Sequence, residues 1–207
     1  MYNPYRYTSN GQYSGTTFLD PDGPVLRLDD GALNLQNLPV VPLLYRGVDA
    51  IIANDNSGDT TDMWPNGTAL YATMQWAANN NVPFPKVPSP DEVIARNLHK
   101  RPVFYGCNST NTPLIVWVPA AAGINGANGV VNIDTLTLEV DLNVVPTMIN
   151  NGIANILRPS NTLAGQTSPS NWPQCVACAV MARQLQKLGN GTLPATCQTC
   201  FSTLCYS

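Results

Sequence analysis

A carboxylate at the end of an apolar run is the residue whose type and position best suit chemistry. Residues 48–55, VDAIIAND, run into the polar segment NDNSGDTTD, and Asp55 lies at the junction. A near-continuous apolar run of this kind predicts a strand buried on both faces of a parallel sheet. Ligands bind beyond the carboxyl ends of such strands, where a carboxylate can orient or deprotonate a hydroxyl nucleophile. An aspartate that closes a turn or caps a helix gives the same pattern, so both interpretations of Asp55 stay open.

A matching nucleophile is absent from the sequence pattern. In a nucleophile elbow, glycines stand two residues before and two after the serine, and neither Ser14 nor Ser57 has these neighbours. The single histidine, His99, excludes a zinc site built on two histidines, and a Ser-His-Asp triad would have to use it. His99 stands beside two basic residues near the end of a predicted helix, where we expect a solvated helix terminus.

The cysteines permit two interpretations. Two Cys-x-x-Cys pairs separated by eighteen residues match a four-thiolate zinc template, whereas an even number of cysteines suits the disulfide framework of a secreted protein. Cys175 and Cys178 share one face of a predicted helix, so each can reach a partner in the 197–205 tail. Six cysteines allow fifteen connectivities, and the sequence does not choose among them. The six residues are Cys107, Cys175, Cys178, Cys197, Cys200 and Cys205.

Three Asn-x-Ser/Thr triplets begin at Asn66, Asn108 and Asn190. They permit N-glycosylation, which modifies surface loops of secreted proteins. A chain so rich in asparagine, serine and threonine also contains such triplets by chance, so they are glycosylation candidates only.

The elements that would position these residues alternate between strand and helix. The patterns predict a loop over 1–24, a helix over 67–80, a helix capped by Ser89, strands over 102–107 and 113–120, a helix over 141–156 interrupted by Pro146, and a helix over 171–189. Strands that alternate with helices predict a layered α/β fold.

Composition excludes several classes of protein. The chain has 207 residues, of which 44% are hydrophobic, so a single domain with a sizeable core is expected. Only 11% are charged and the net charge is -3, which argues against a nucleic-acid binder. The sequence contains no run of about 18 apolar residues, so no membrane span is predicted. The first residues also lack the apolar run of a signal peptide.

Five strings in the sequence are specific when taken together and in order. They are LDDGALNLQNLPVVPLL, VDAIIANDNSGDTTDMWPNGTAL, RPVFYGCNSTNTPLIVWVP, SNWPQCVACAVMARQL and CQTCFSTLCYS. Each resembles a block in the C-terminal part of fungal phospholipase B, the secreted lysophospholipase family. The resemblance covers roughly residues 25–207 and is weakest across 119–168.

The resemblance implies an α/β fold that forms part of a layered catalytic domain like that of the cytosolic phospholipases and patatin, with a disulfide-stapled C-terminal helical tail. Such enzymes use a Ser-Asp dyad without histidine, cofactor or metal. The dyad aspartate opens the family's Asp-x-Ser motif, which falls on Asp55 in this sequence. The implied reaction is hydrolysis of a phospholipid or lysophospholipid ester at a membrane or micelle surface, through an acyl-enzyme.

The family's serine and its oxyanion glycines precede the part that this chain resembles. We therefore expect this chain alone to lack the nucleophile and to need the missing N-terminal half as its partner. The alternative is a secreted, non-catalytic truncated paralogue with a binding or structural role. Ala32 and Gly58 depart from the family pattern, which has glycine and alanine at these positions.

The resemblance also favours disulfides over zinc and a secreted or cell-wall location. Cys107 would then pair inside this chain or with a cysteine of the missing half. We expect the strand over 48–53 to leave an apolar face or a sheet edge open, and the Asp55 carboxylate to lie accessible at the rim of the sheet.

Overall fold

The computed structural model describes residues 30–120, 133, 137–157, 162–163, 166–167, 171–188 and 193–207. The chain divides into two compact units, Met1–Asn34 and Leu35–Ser207. The described part of the first unit contains a 3-10 helix, Gly31–Asn34. The loop predicted over 1–24 lies outside the described residues, and the second unit contains the elements that follow.

Helices and strands alternate along the second unit, which makes the fold mixed α/β. In chain order they are α1 (Val41–Leu44), β1 (Ala50–Asp55), α2 (Thr68–Asn79), α3 (Pro90–Ala95), a 3-10 helix (Leu98–Lys100), β2 (Val103–Tyr105), β3 (Leu114–Pro119), α4 (Val145–Leu157), β4 (Thr162–Leu163), β5 (Gln166–Thr167), α5 (Trp172–Lys187) and α6 (Ala195–Leu204). The strands and helices predicted from sequence patterns are confirmed, with shifted ends.

The main sheet has three strands in the order β1-β3-β2, and β4 pairs with β5 in a separate two-stranded sheet. Strand β1 runs parallel to β3, with Ala50 opposite Leu114 and Asp55 opposite Pro119, and β2 runs antiparallel to β3. Every residue of β3 is buried. The apolar run that forms the strand buried on both faces is therefore β3.

Strand β1 lies at an edge of this sheet and pairs only with β3 among the described strands. Its burial alternates, with Ile51 and Ala53 buried while Ile52 is 55% exposed. The prediction that β1 is buried on both faces is wrong, because the apolar cluster on the second face contains residues of β2 and β3 but none of β1. The prediction of an open edge along this strand is confirmed for the described part of the chain.

Two apolar clusters cover the two faces of the sheet. On one face, Ile51 and Trp117 pack with residues of α2 and α3. On the other face, Phe104 and Val116 pack with residues of α5 and α6. Because alternate residues of β3 enter each cluster, one strand joins both halves of the core.

Local signals explain where the helices begin. The Ser89 hydroxyl accepts a hydrogen bond from the Glu92 amide at 3.3 Å, which confirms the predicted cap of α3. Gly67 precedes α2 with a φ of 83° in the left-handed region, which glycine adopts without strain. Pro146 is the second residue of α4. It therefore starts that helix, where its missing N–H costs nothing, and the predicted interruption is wrong.

Three disulfides connect the six cysteines: Cys107–Cys205, Cys175–Cys200 and Cys178–Cys197. None of the thiols is free to bind zinc, so the zinc interpretation is wrong. The disulfide-stapled helical tail is confirmed, because two of the bonds join α5 to α6. Cys107 pairs inside this chain.

The tail also covers the second edge of the sheet. Cys205 forms a parallel bridge with Phe104 of β2, and the Tyr206 amide donates to the Phe104 carbonyl at 2.8 Å. The Cys107–Cys205 bond fixes the same contact covalently. Within the described residues, no helix has the length and apolar character needed to cross a membrane.

Candidate active site

Asp55 is the last residue of β1, at the carboxyl end of the parallel pair formed with β3. One carboxylate oxygen, Oδ1, accepts a hydrogen bond from the Ser57 amide at 3.0 Å. The other, Oδ2, accepts one from Nε1 of the Trp117 indole at 2.8 Å. The Asp55 carbonyl accepts from the Ala120 amide at 2.7 Å, so backbone and side chain are both fixed at the strand end.

The Asp55 side chain is only 1% exposed. The expectation that it lies accessible at the rim of the sheet is wrong for this chain, because the Trp117 ring and the following turn cover it. A cavity of about 300 Å³ lies beside the strand end and is lined by Asn54 and Asn56, but not by Asp55. Successive residues of a strand point to opposite faces, which places Asp55 on the face away from its neighbour Asn54.

Ser57 follows Asp55 in the turn and is also buried, at 5% exposure. Its amide donates to Asp55, but its hydroxyl finds no partner among the described residues. Buried hydroxyls are normally hydrogen-bonded, so an unpartnered one beside a buried carboxylate is unusual. The two side chains place one carboxylate and one hydroxyl together at the end of β1.

Asp59 is a half-buried carboxylate in the same loop. Its Oδ2 accepts from the Asn66 amide at 3.0 Å, which ties the loop to the residues that precede α2. Burial raises the pKa of Asp59, the Asn66 amide lowers it, the Asp55 carboxylate raises it and the Thr68 amide lowers it, with a net rise. Protonation of Asp59 is therefore easier than that of an exposed aspartate.

His99 contacts the loop between β1 and α2 and does not lie in solvent. It is buried in the 3-10 helix Leu98–Lys100, and its ring packs edge to face on Trp64 at 5.6 Å between ring centroids. Burial lowers the pKa of His99 and favours the neutral ring. The predicted solvated terminus is wrong because tertiary packing on Trp64 overrides the basic neighbours.

The glycosylation candidates differ in access. Asn108 is exposed, whereas Asn66 is half-buried and its side-chain oxygen accepts from the Thr68 amide and hydroxyl. Asn190 lies outside the described residues. The structure therefore leaves Asn108 as the described asparagine best placed to meet a glycosylating enzyme.

Sequence reasoning missed Trp117, the partner that holds Asp55. The register of the parallel strands brings the two residues together. Trp117 lies opposite Ala53 and therefore shares a face with Asp55, two residues further along β1. Among the described residues, no group of three or more His, Cys, Asp or Glu side chains is arranged to hold a metal ion. The site is thus an aspartate fixed by an indole and a turn.

Sequence comparisons with known proteins identify the family of this chain. Residues 2–207 match the sequence model of the lysophospholipase catalytic domain. The chain is 40% identical to "Lysophospholipase 2" of Aspergillus fumigatus and 34% identical to "Lysophospholipase 1" of Saccharomyces cerevisiae, with 99% of the chain covered in both. It is 37% identical to "Phospholipase B" of Cryptococcus neoformans over 87% of the chain. No solved structure matches the chain.

The match covers 34%, 31% and 28% of these three relatives, so the chain spans about a third of their length. The resemblance that the five sequence strings indicated is confirmed by the matches. The family match reaches both the Asp55 loop and the disulfide-bonded tail. This chain therefore belongs to the lysophospholipase catalytic domain family.

Proposed function

We propose that this chain is the part of a lysophospholipase that carries the dyad acid, Asp55. The serine nucleophile would come from a segment of the enzyme outside this chain, its missing N-terminal half. The observation that supports this most directly is the position of Asp55 in the Asp-x-Ser turn at the carboxyl end of a parallel strand. Ligands of open α/β sheets bind beyond this end of the strands.

The proposed reaction is hydrolysis of a phospholipid or lysophospholipid ester at a membrane or micelle surface. The serine hydroxyl attacks the ester carbonyl while Asp55 accepts its proton and passes it to the leaving alcohol. Water then attacks the acyl-enzyme, gives its proton to Asp55 and releases the fatty acid, and the proton returns to the serine oxygen. A carboxylate has about four acceptor sites, and the described contacts of Asp55 use two. Its remaining lone pairs can accept a hydrogen bond from the serine hydroxyl of the missing segment. No cofactor or metal takes part.

The fixed indole is useful for this role. The Trp117 N–H holds one oxygen of Asp55, and the Ser57 amide holds the other, so the carboxylate cannot rotate freely. A catalytic base has to lie within hydrogen-bond reach of the proton that it takes, and fixed geometry keeps it there. We further propose that the sheet and its helices form part of a layered domain like that of the cytosolic phospholipases and patatin.

Secretion or attachment to the cell wall is proposed on the cysteine chemistry. Three disulfides are stable in oxidising compartments and rare in the cytosol. Glycosylation at the exposed Asn108 would fit the same location.

A second candidate function is a non-catalytic truncated paralogue with a binding or structural role. The nearly complete burial of Asp55 favours it, because both carboxylate oxygens already have partners. A protein of this kind would keep the fold of the family without the reaction.

A chimaera separates the two candidates. This chain would replace the matching segment of the Aspergillus fumigatus Lysophospholipase 2, and release of fatty acid from lysophosphatidylcholine would be measured. We expect the chimaera to be active and Asp55→Asn to lower its kcat by at least about 100-fold, the range of general-base contributions. Asp91→Asn, which removes an exposed carboxylate in the first turn of α3, is the matched control.

An asparagine at position 55 must turn its NH₂ group toward one of the two N–H donors, so folding needs its own measurement. Near-ultraviolet circular dichroism and an intact-mass count of disulfides provide it. Full activity of folded Asp55→Asn would exclude Asp55 as the dyad acid. A folded but inactive parent chimaera would favour the non-catalytic candidate.

A further inference from the structure

Helix α4 has its polar side inward and its apolar side outward. Asn151 and Asn155 are buried, at 4% and 3% exposure, and the Asn155 side-chain amide donates to the Pro119 carbonyl at 2.9 Å. The outward side exposes four large apolar residues, Ile149, Ile153, Ile156 and Leu157, at 37% to 59%, together with the polar residues Thr147 and Asn150. A surface helix normally has the opposite arrangement, so this face requires a covering partner.

Helix α4 itself lies beside the end of β1. Residues Asn54 and Asn56 from the end of β1 and residues Met148 and Gly152 from α4 line the same cavity. Strand β1 exposes Ile52 and, among the described strands, pairs only on its β3 side. Unpaired backbone groups at a sheet edge form a template for another strand. The apolar face of α4 and the edge of β1 both belong to this region of the molecule, and neither has a partner strand or helix among the described residues.

We propose that this region is the docking surface for the part of the lysophospholipase catalytic domain that lies outside this chain. The proposal rests on the function proposed above and names where the missing half binds. The length of the relatives supports it, because the chain spans 99% of its own length but only 34% of the Aspergillus fumigatus relative. About two thirds of such a protein therefore remains to cover apolar surface.

The charge of α4 argues against a lipid surface as the occupant. Helices that lie in a membrane interface carry lysine and arginine on their polar face. Helix α4 contains no charged residue, and its buried Asn155 donates to Pro119, the last residue of β3. A helix covered on both sides in the interior of a larger domain fits this composition.

Cysteine accessibility tests the proposal. Ile153→Cys would be placed in the 207-residue chain and in the chimaera, and the rate of maleimide labelling would be followed by intact mass. The matched control is Met181→Cys on α5, since Ile153 is 51% and Met181 53% exposed. We expect equal rates in the isolated chain and a rate at position 153 at least tenfold lower in the chimaera, while position 181 changes less than twofold.

Three outcomes would overturn the assignment. One is equal labelling of Ile153→Cys in the chimaera and the isolated chain, with or without phosphatidylcholine vesicles. Another is protection at position 153 in the chimaera only after such vesicles are added, because lipid would then be the occupant. The third is concentration-dependent protection in the isolated chain, which would indicate a second copy of this chain.

Glutamate variants supply a second measurement if the added cysteine disturbs disulfide formation. Ile153→Glu should leave the urea midpoint of the isolated chain unchanged and lower that of the chimaera, whereas Met181→Glu should change neither. An unchanged chimaera midpoint with Ile153→Glu would contradict docking on this face. The two proposals also fail separately: protection in an inactive chimaera contradicts only the dyad, and activity without protection contradicts only the docking surface.

Discussion

The two edges of the three-stranded sheet differ, because the C-terminal tail covers the β2 edge and no described strand covers the β1 edge. At the β2 edge, the tail adds a bridge at Phe104, a backbone hydrogen bond from Tyr206 and the Cys107–Cys205 disulfide. At the β1 edge, the described residues provide no further strand, and Ile52 points into solvent. The candidate catalytic carboxylate, Asp55, ends this edge strand, and its side chain lies on the covered face. The chain thus covers the β2 edge with its own tail, whereas the β1 edge has no further strand among the described residues.

The largest effect on stability is expected when the disulfide that holds the tail at the β2 edge is removed. Replacing Cys107 and Cys205 together by serine should lower the free energy of unfolding by about 4 kcal/mol, because their bond closes a long loop. Replacing Cys178 and Cys197 together by serine should lower the free energy of unfolding by about 2 kcal/mol, because their bond lies inside the loop that the Cys175–Cys200 bond already closes. Urea unfolding of both double variants measures the difference. Equal losses would show that the tail does not support the β2 edge in this way.

Two adjacent isoleucines sharpen the comparison at the open edge. Ile51 is buried on the α2 side of the sheet, whereas its neighbour Ile52 points to the uncovered side. Ile51→Ala should lower the free energy of unfolding by about 3 kcal/mol, and Ile52→Ala by less than about 1 kcal/mol. Chemical denaturation of the isolated chain tests this pair. A similar loss at both positions would mean that the β1 face is covered.

The smallest expected effect concerns Asp59, the half-buried carboxylate in the loop that follows β1. Because burial raises the folded-state pKa of Asp59 above its unfolded value, its contribution to stability is full below the unfolded pKa of about 4 and falls as pH rises through the folded pKa. Asp59→Asn removes this dependence. The variant should match the parent near pH 3 and exceed its free energy of unfolding at pH 7 by less than about 1 kcal/mol.

Urea unfolding at the two pH values measures this effect, and Asp91→Asn is the control because that carboxylate is exposed. A variant that is less stable than the parent at pH 7 would show that the charged form of Asp59 stabilises the loop through its hydrogen bond to Asn66.

Local patterns in the sequence predicted the elements well, and non-local contacts account for the errors. The cap at Ser89 and the apolar run of β3 depend on neighbouring residues, so both were found. Burial of His99 depends on Trp64, thirty-five positions earlier, and the open face of β1 depends on its place in the sheet. Neither the burial of His99 nor the open face of β1 can be predicted from a short stretch of sequence.

The candidate site shows the same division. The position of Asp55 at a strand end followed from the sequence, whereas its enclosure followed from Trp117 on a strand sixty-two residues later. Disulfide pairing also required the fold, since the helix face of Cys175 and Cys178 indicated partners in the tail but not which partner each would take. The outward apolar face of α4 could not be predicted, because periodicity finds an apolar stripe without saying what it contacts.

The bond between Cys107 and Cys205 has a consequence for synthesis. Ninety-eight positions separate the two cysteines. At the usual speed of translation, on the order of 5 to 20 s pass after strand β2 is made before the segment that covers its edge exists. During that interval the nascent strand has a bare edge and an unpaired thiol. Closure of this edge therefore has to follow synthesis of the C-terminal tail.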